Sequence, residues 1–134
     1  MTGRAALLLT ALTLIAAGAA FPAAAAADRS VTAGGLTASV SPAPWHLELA
    51  HGSARVLSEQ RETGLGPTGT LGFATAGGWW HATRVLSERR EGPGYVAELA
   101  TTDPLGRTIA ARVSPDADGV IQVQAEFAAS PPPT

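Results

Sequence analysis

Cysteine, lysine and asparagine are all missing from this 134-residue chain. Without cysteine there is no disulfide framework and no thiolate metal site. Without asparagine there is no N-glycosylation acceptor. Every positive side chain is therefore an arginine. Nine arginines face eleven acids, for a formal net charge of -2. That balance argues against a nucleic-acid partner, because neutralising phosphates needs a basic surface. Beyond residue 28, no window keeps apolar residues at i, i+3, i+4 and i+7 free of glycine and proline for three turns. Helices are thus excluded as the main building element.

The first 27 residues stand apart. Arg4 supplies a short positive start, Ala5 to Ala20 is apolar apart from small or hydroxyl residues, and Phe21-Pro22 ends the run. An alanine tract then offers an A-x-A cleavage site before Asp28. This is the layout of a signal peptide, residues 1–27. The alternative is a membrane anchor, which Pro22 and the many small residues disfavour. The expectation is a secreted, extracellular chain with no membrane attachment after cleavage. Its domain, residues 28–129, must be stable by packing alone, since it has no disulfide to help. Ser130-Pro-Pro-Pro-Thr134 reads as a Pro-rich tail or linker, because proline cannot donate to a ladder.

What is abundant is turn chemistry. Gly34-Gly35, Pro42-Ala43-Pro44, His51-Gly52, Gly64 to Gly69, Gly77-Gly78, Gly92-Pro93-Gly94, Asp103 to Gly106 and Asp116 to Gly119 punctuate short runs of Val, Leu, Thr and aromatics. Alternation identifies faces. Trp45, Leu47 and Leu49 share one face, Ile109, Ala111 and Val113 another, and Ile121, Val123, Ala125 and Phe127 a third. The prediction is an all-β antiparallel β-sandwich of about eight short strands. They fall near 36–41, 45–50, 54–59, 70–75, 79–88, 95–101, 107–114 and 120–128.

One octet occurs nearly twice, "RVLSEQRE" at Arg55 to Glu62 and "RVLSERRE" at Arg84 to Glu91. The similarity does not extend beyond the echo in either direction, so a repeat architecture is rejected. Both copies read as strand tails leaving the sheet with solvated Glu and Arg ends.

Candidate chemistry is sparse. Gly64-Leu-Gly66-Pro-Thr-Gly69 matches G-x-G-x-x-G, but Pro67 interrupts it and a strand pattern follows, where a dinucleotide site needs a helix. No cofactor is expected. Asp116-Ala-Asp118-Gly119 lacks the later oxygen ligands of a calcium loop and reads as a tight turn. His46, His51 and His81 have no metal-ligand spacing, so no metal site is expected. His46 and His51 read as solvent-exposed. No serine sits in G-x-S-x-G. The stretch "GGWWHA" offers Trp79 and Trp80 as candidate carbohydrate-binding residues, since secreted sugar binders stack sugars on exposed rings. Adjacent strand residues point to opposite faces, so a regular strand allows only one of them outward.

Taken in order, the segments "VTAGGLTASVSPAPWHLELAHGSARVLSE" and "WWHATRVLSERREGPGYVAELATTDPLGRTIAARVSPDADGVIQVQAEF" resemble the N-terminal domain of glycoside hydrolase family 31, the α-glucosidase and α-xylosidase family. The likeness spans about residues 30 to 128. It includes a Pro-aromatic entry, a Trp-containing strand, a T-x-D-x-x-G turn at Thr101 to Gly106 and a closing hairpin. The resemblance implies a galactose-mutarotase-like sandwich preceding a catalytic (β/α)₈ barrel. It implies an acid and a nucleophile, both Asp, within that barrel. No position here matches either, so the implied role is non-catalytic, and the domain would be incomplete. The implied partners are a barrel domain encoded downstream and carbohydrate. Two other classes remain open on the residues alone: a freestanding carbohydrate-binding sandwich, and a structural domain unrelated to sugars.

Overall fold

Strands with one apolar face must bury that face against a second layer, and this chain builds the two layers one after the other. The structure, a computed structural model, describes residues 29–61 and 66–128. The signal-peptide segment 1–27, the Gly64-Leu65 part of the glycine loop and the tail 130–134 lie outside the described residues. The first sheet contains β1 (Ser30–Ala33), β2 (Leu36–Pro42), β3 (Trp45–His51) and β4 (Ala54–Ser58). The second contains β5 (Gly72–Thr75), β6 (Gly78–Glu91), β7 (Gly94–Thr101), β8 (Thr108–Ala117) and β9 (Val120–Ala128). Each sheet is a meander in chain order, and every neighbouring pair is antiparallel. The all-β sandwich expectation holds, with nine strands among the described residues where eight are predicted. The extra strand is β1, whose four residues are too short to show a convincing period.

Two-residue turns close most of the hairpins. Gly92 at φ 57° and Gly119 at φ 73° occupy left-handed positions that a β-carbon would strain. The core forms where the inner faces meet. Val31, Ala38, Val40, Trp45 and Leu47 come from the first sheet. Ala82, Tyr95, Ala97, Leu99, Ile109, Ala111 and Val113 come from the second. Trp45 is 1% exposed, and Tyr95 and Leu99 are 0% exposed.

Two irregularities shape the second sheet. β6 shifts register between Ala82 and Arg84 and again between Val85 and Ser87. Such bulges bend a strand and increase its twist. β5 and β9 lie at opposite ends of the strand order, yet Phe73 and Phe127 meet with ring centroids 4.5 Å apart. The sheet is therefore rolled toward a half-barrel.

The structure corrects one expectation in part. Arg61, Arg89, Arg90 and Glu91 at the octet ends are exposed, as expected, and Glu62 lies outside the described residues, but the inner carboxylates are not solvated. Glu59 and Glu88, which occupy equivalent places in the two copies, are half-buried. Glu59 accepts from the Leu47 amide at 3.0 Å and from the Leu71 amide. Glu88 accepts two bonds from Arg29, at 2.6 and 2.8 Å, and one from the Tyr95 hydroxyl at 2.7 Å. Each carboxylate thus joins the first sheet, or the residue leading into it, to the second. The third apolar face is shared as expected, since Phe127, Ala125 and Val123 pair with the buried Ile109, Ala111 and Val113, yet Val123 and Phe127 remain 43% and 49% exposed.

Candidate functional site

The pairing of β5 with β6 runs without interruption from Gly72 opposite His81 to Thr75 opposite Gly78. With regular pleating, Trp79 and Trp80 leave on opposite faces. Trp79 is 37% exposed. Trp80 is half-buried, and its Nε1 donates to Thr75 Oγ1 at 3.0 Å. The same hydroxyl accepts from the Gly77 amide at 3.1 Å, so the hairpin turn and the Trp80 ring are fixed together. The two indoles do not form one platform. Trp79 is the more exposed of the two.

His81 shares the outer side of the strand with Trp79 but is covered by the loop before β5. It is 2% exposed. Its Nδ1 lies 2.8 Å from the Thr70 carbonyl and its Nε2 lies 2.8 Å from the Gly66 carbonyl. Carbonyl oxygens only accept, so each of these two contacts is a hydrogen bond where the facing ring nitrogen carries the proton. The ring is a clamp for the loop, in a position with no sequence signal beyond the aromatic run that contains it. His46 is half-buried and lies 3.0 Å from Ser58 Oγ, whereas His51 is exposed, so the solvated reading holds for His51 only.

A second cluster gathers around Asp103, at the Thr101–Gly106 turn. The Asp103 side chain is 0% exposed. It accepts from the Leu105 amide at 3.2 Å, the Arg107 amide at 3.3 Å and the Arg107 guanidinium. Gly106 at φ 69° lets the turn close with its amide 2.9 Å from the Asp103 carbonyl. The Arg107 bonds hold the Asp103 carboxyl below the usual carboxylate range, against the opposing effect of burial. The guanidinium then lies 5.5 Å from the centroids of both Phe73 and Phe127. The turn motif is visible in the sequence. The pairing of its arginine with two rings from opposite ends of the sheet is not.

The third cluster is Arg29, Glu88 and Tyr95. Hydrogen bonds from Arg29 are the main cause of a lowered Glu88 pKa. Burial, then the neighbouring Glu88, pushes the Tyr95 hydroxyl far up. The raised value keeps the Tyr95 hydroxyl protonated as a donor to Glu88 at neutral pH.

Two of the surface depressions lie beside buried or charged side chains. One, of about 260 Å³, is lined by Pro44, Trp45, Arg61, Thr70, Ala82 and Thr83. The Trp45 Nε1 hydrogen is buried and finds no acceptor among the described residues. The other, of about 210 Å³, has a floor including Val96 and Ala110 and a rim including Arg89, Arg112, Gln124 and Glu126. Arg112 also pairs with Glu91. Among the described residues no three His, Asp or Glu side chains converge as a metal-binding group would. Comparison with known families, curated proteins and solved structures gives no match to this chain.

Proposed function

We propose that this chain is a non-catalytic β-sandwich module of a secreted protein resembling glycoside hydrolase family 31. Its role is to support a catalytic barrel and to meet carbohydrate through Trp79. The observation that carries the non-catalytic part is the commitment of the more buried acids. Glu59 holds two backbone amides, Glu88 holds Arg29 and Tyr95, and Asp103 holds Arg107 and its own turn. Glycoside cleavage needs two carboxyl groups free to face one bond, one of them with a raised pKa. Glu88 and Asp103 have lowered values instead. The family reading is supported by the order of the matching segments and by the self-contained Thr101–Gly106 turn.

Purified chain is expected to show no turnover of aryl α-glucosides or α-xylosides. Turnover that disappears on substituting one of its own acids would overturn the non-catalytic reading. Reading the gene beyond the Thr134 codon tests the family: a barrel-encoding frame is expected, and an unrelated neighbour counts against it. The exposure of Trp79 also favours a second reading, a freestanding carbohydrate-binding sandwich. Affinity electrophoresis in α-glucan gels tests the contact, with retardation expected for the native chain and lost in Trp79→Ala.

A further inference from the structure

Four strands lie at the edges of the two sheets: β1, β4, β5 and β9. Three carry the usual protections against pairing with another chain. β1 and β5 have four residues each. β4 has five, bears Arg55, and pairs with β3 through an irregular register. β9 is neither short nor positively charged, and its one register irregularity, opposite Pro115 and Ala117 of β8, falls at the turn end of the strand. It is nine residues long, with no proline, no positive charge and a single carboxylate, Glu126. Its pairing with β8 is regular from Thr108 opposite Ala128 to Pro115 opposite Ile121. One side of its backbone faces β8, and among the described residues the other is hydrogen-bonded to no strand, with Phe127 alone reaching Phe73 of β5 through its side chain. Long unprotected edges of this kind are templates for strand addition.

The sequence of β9 indicates which strand fits. An antiparallel copy of β9 centred on Gln124 overlaps it over all nine residues. Val123 then faces Ala125 of the other copy, and Ile121 faces Phe127. These are the inner-face positions, where Val123 and Phe127 are 43% and 49% exposed. On the outer face Gln124 faces Gln124, and each Glu126 faces a Gln122 amide that can donate to it. Apolar meets apolar, and no like charges are opposed. We infer that two copies of this chain associate through β9, about a two-fold axis at Gln124, to form one continuous ten-stranded sheet. Such a contact is isologous and closes on itself, so it yields a dimer and not a fibre. The inference does not depend on the function proposed above.

Charge at position 124 tests the contact. Gln124 is exposed, so substituting it leaves the monomer intact. Sedimentation velocity of the full chain over roughly 1–200 µM is expected to show a monomer–dimer equilibrium. Gln124→Lys and Gln124→Glu would each place like charges together at the axis. Each should raise the dissociation constant about tenfold or more, a cost of the size expected for opposed charges in a desolvated contact. An equal mixture of the two variants should recover association at least as tight as the native chain, as a heterodimer. Amide hydrogen exchange gives a second readout, with protection in Val120–Ala128 rising with protein concentration. A native chain that stays monomeric, variants that dimerise unchanged, or a mixture that shows no recovery would each overturn the inference.

Discussion

The Arg29–Glu88–Tyr95 triad concentrates three polar groups at one point between the layers. The Glu88 side chain is 18% exposed and that of Arg29 is 26% exposed. Charge-assisted bonds in such a setting are stronger than neutral ones. Glu88→Gln keeps the shape and removes the charge, and should cost about 2 kcal/mol at neutral pH. The acid dependence has a defined sign. A carboxylate with a lowered folded-state pKa stabilises the fold above the ordinary glutamate range, and this contribution is lost as pH falls through the lowered value. Native protein should therefore lose stability below about pH 4, the ordinary range for glutamate. Glu88→Gln should flatten that slope in urea titrations. Asp103 acts in the same direction, so the flattening will be partial. His81 is the other residue on which a local structure depends. His81→Ala leaves the Thr70 and Gly66 carbonyls without their partner and opens a space under the loop. A loss of about 2–3 kcal/mol is expected. Faster protease cleavage within residues 66–71 should accompany it, which a cavity elsewhere in the core would not produce.

At the scale of elements, the β5–β6 ladder depends on one glycine. A β-carbon at Gly72 would lie 2.5 Å from the Trp80 carbonyl oxygen and 2.7 Å from His81 Nδ1. The first contact is with backbone and cannot swing away. Gly72→Ala should cost about 1–3 kcal/mol by overpacking and should weaken the His81 clamp as well, which chemical denaturation of the single and double variants would reveal as non-additive. The element pattern was largely legible beforehand, and the reason is periodicity. Trp45, Leu47 and Leu49 alternate with polar neighbours, and the paired register confirms the shared face. The Asp118-Gly119 turn was equally legible, since the turn chemistry is local. β1 was not, because Val31 and Ala33 are the only inward residues in a four-residue strand. The fates of Glu59 and Glu88 were hidden for a different reason. Their partners Leu71 and Arg29 lie far off in the chain, just before β5 and β1, and a strand tail looks the same whether its carboxylate meets water or a neighbouring layer.

At the scale of the whole molecule, the described residues form two meanders joined by one connection, residues 59–71. Neither sheet has a second layer of its own. Residues 29–58 and 72–128 produced separately should each fail to show a cooperative unfolding transition, because one apolar face would stay wet. Mixed together they should recover such a transition in circular dichroism, since Trp45 and Leu47 need the face made by Tyr95, Leu99 and Ile109. A half that unfolds cooperatively alone would show that the two layers are separate folding units. The division between sequence and structure follows the range of the forces involved. Composition, turn residues and period-two alternation act within a few neighbours, so the sequence by itself determined an all-β chain, its hairpins and the inward residues of most strands. It also determined that Trp79 and Trp80 must part on a regular strand. Only the tertiary structure decided which of them is the more exposed, that Val123 and Phe127 stay open to solvent, and that Arg107 sits beside Phe73 and Phe127. Those outcomes depend on how two bulges in β6 roll the second sheet and on how far the first sheet reaches across it. Both are set by packing between residues far apart in the chain.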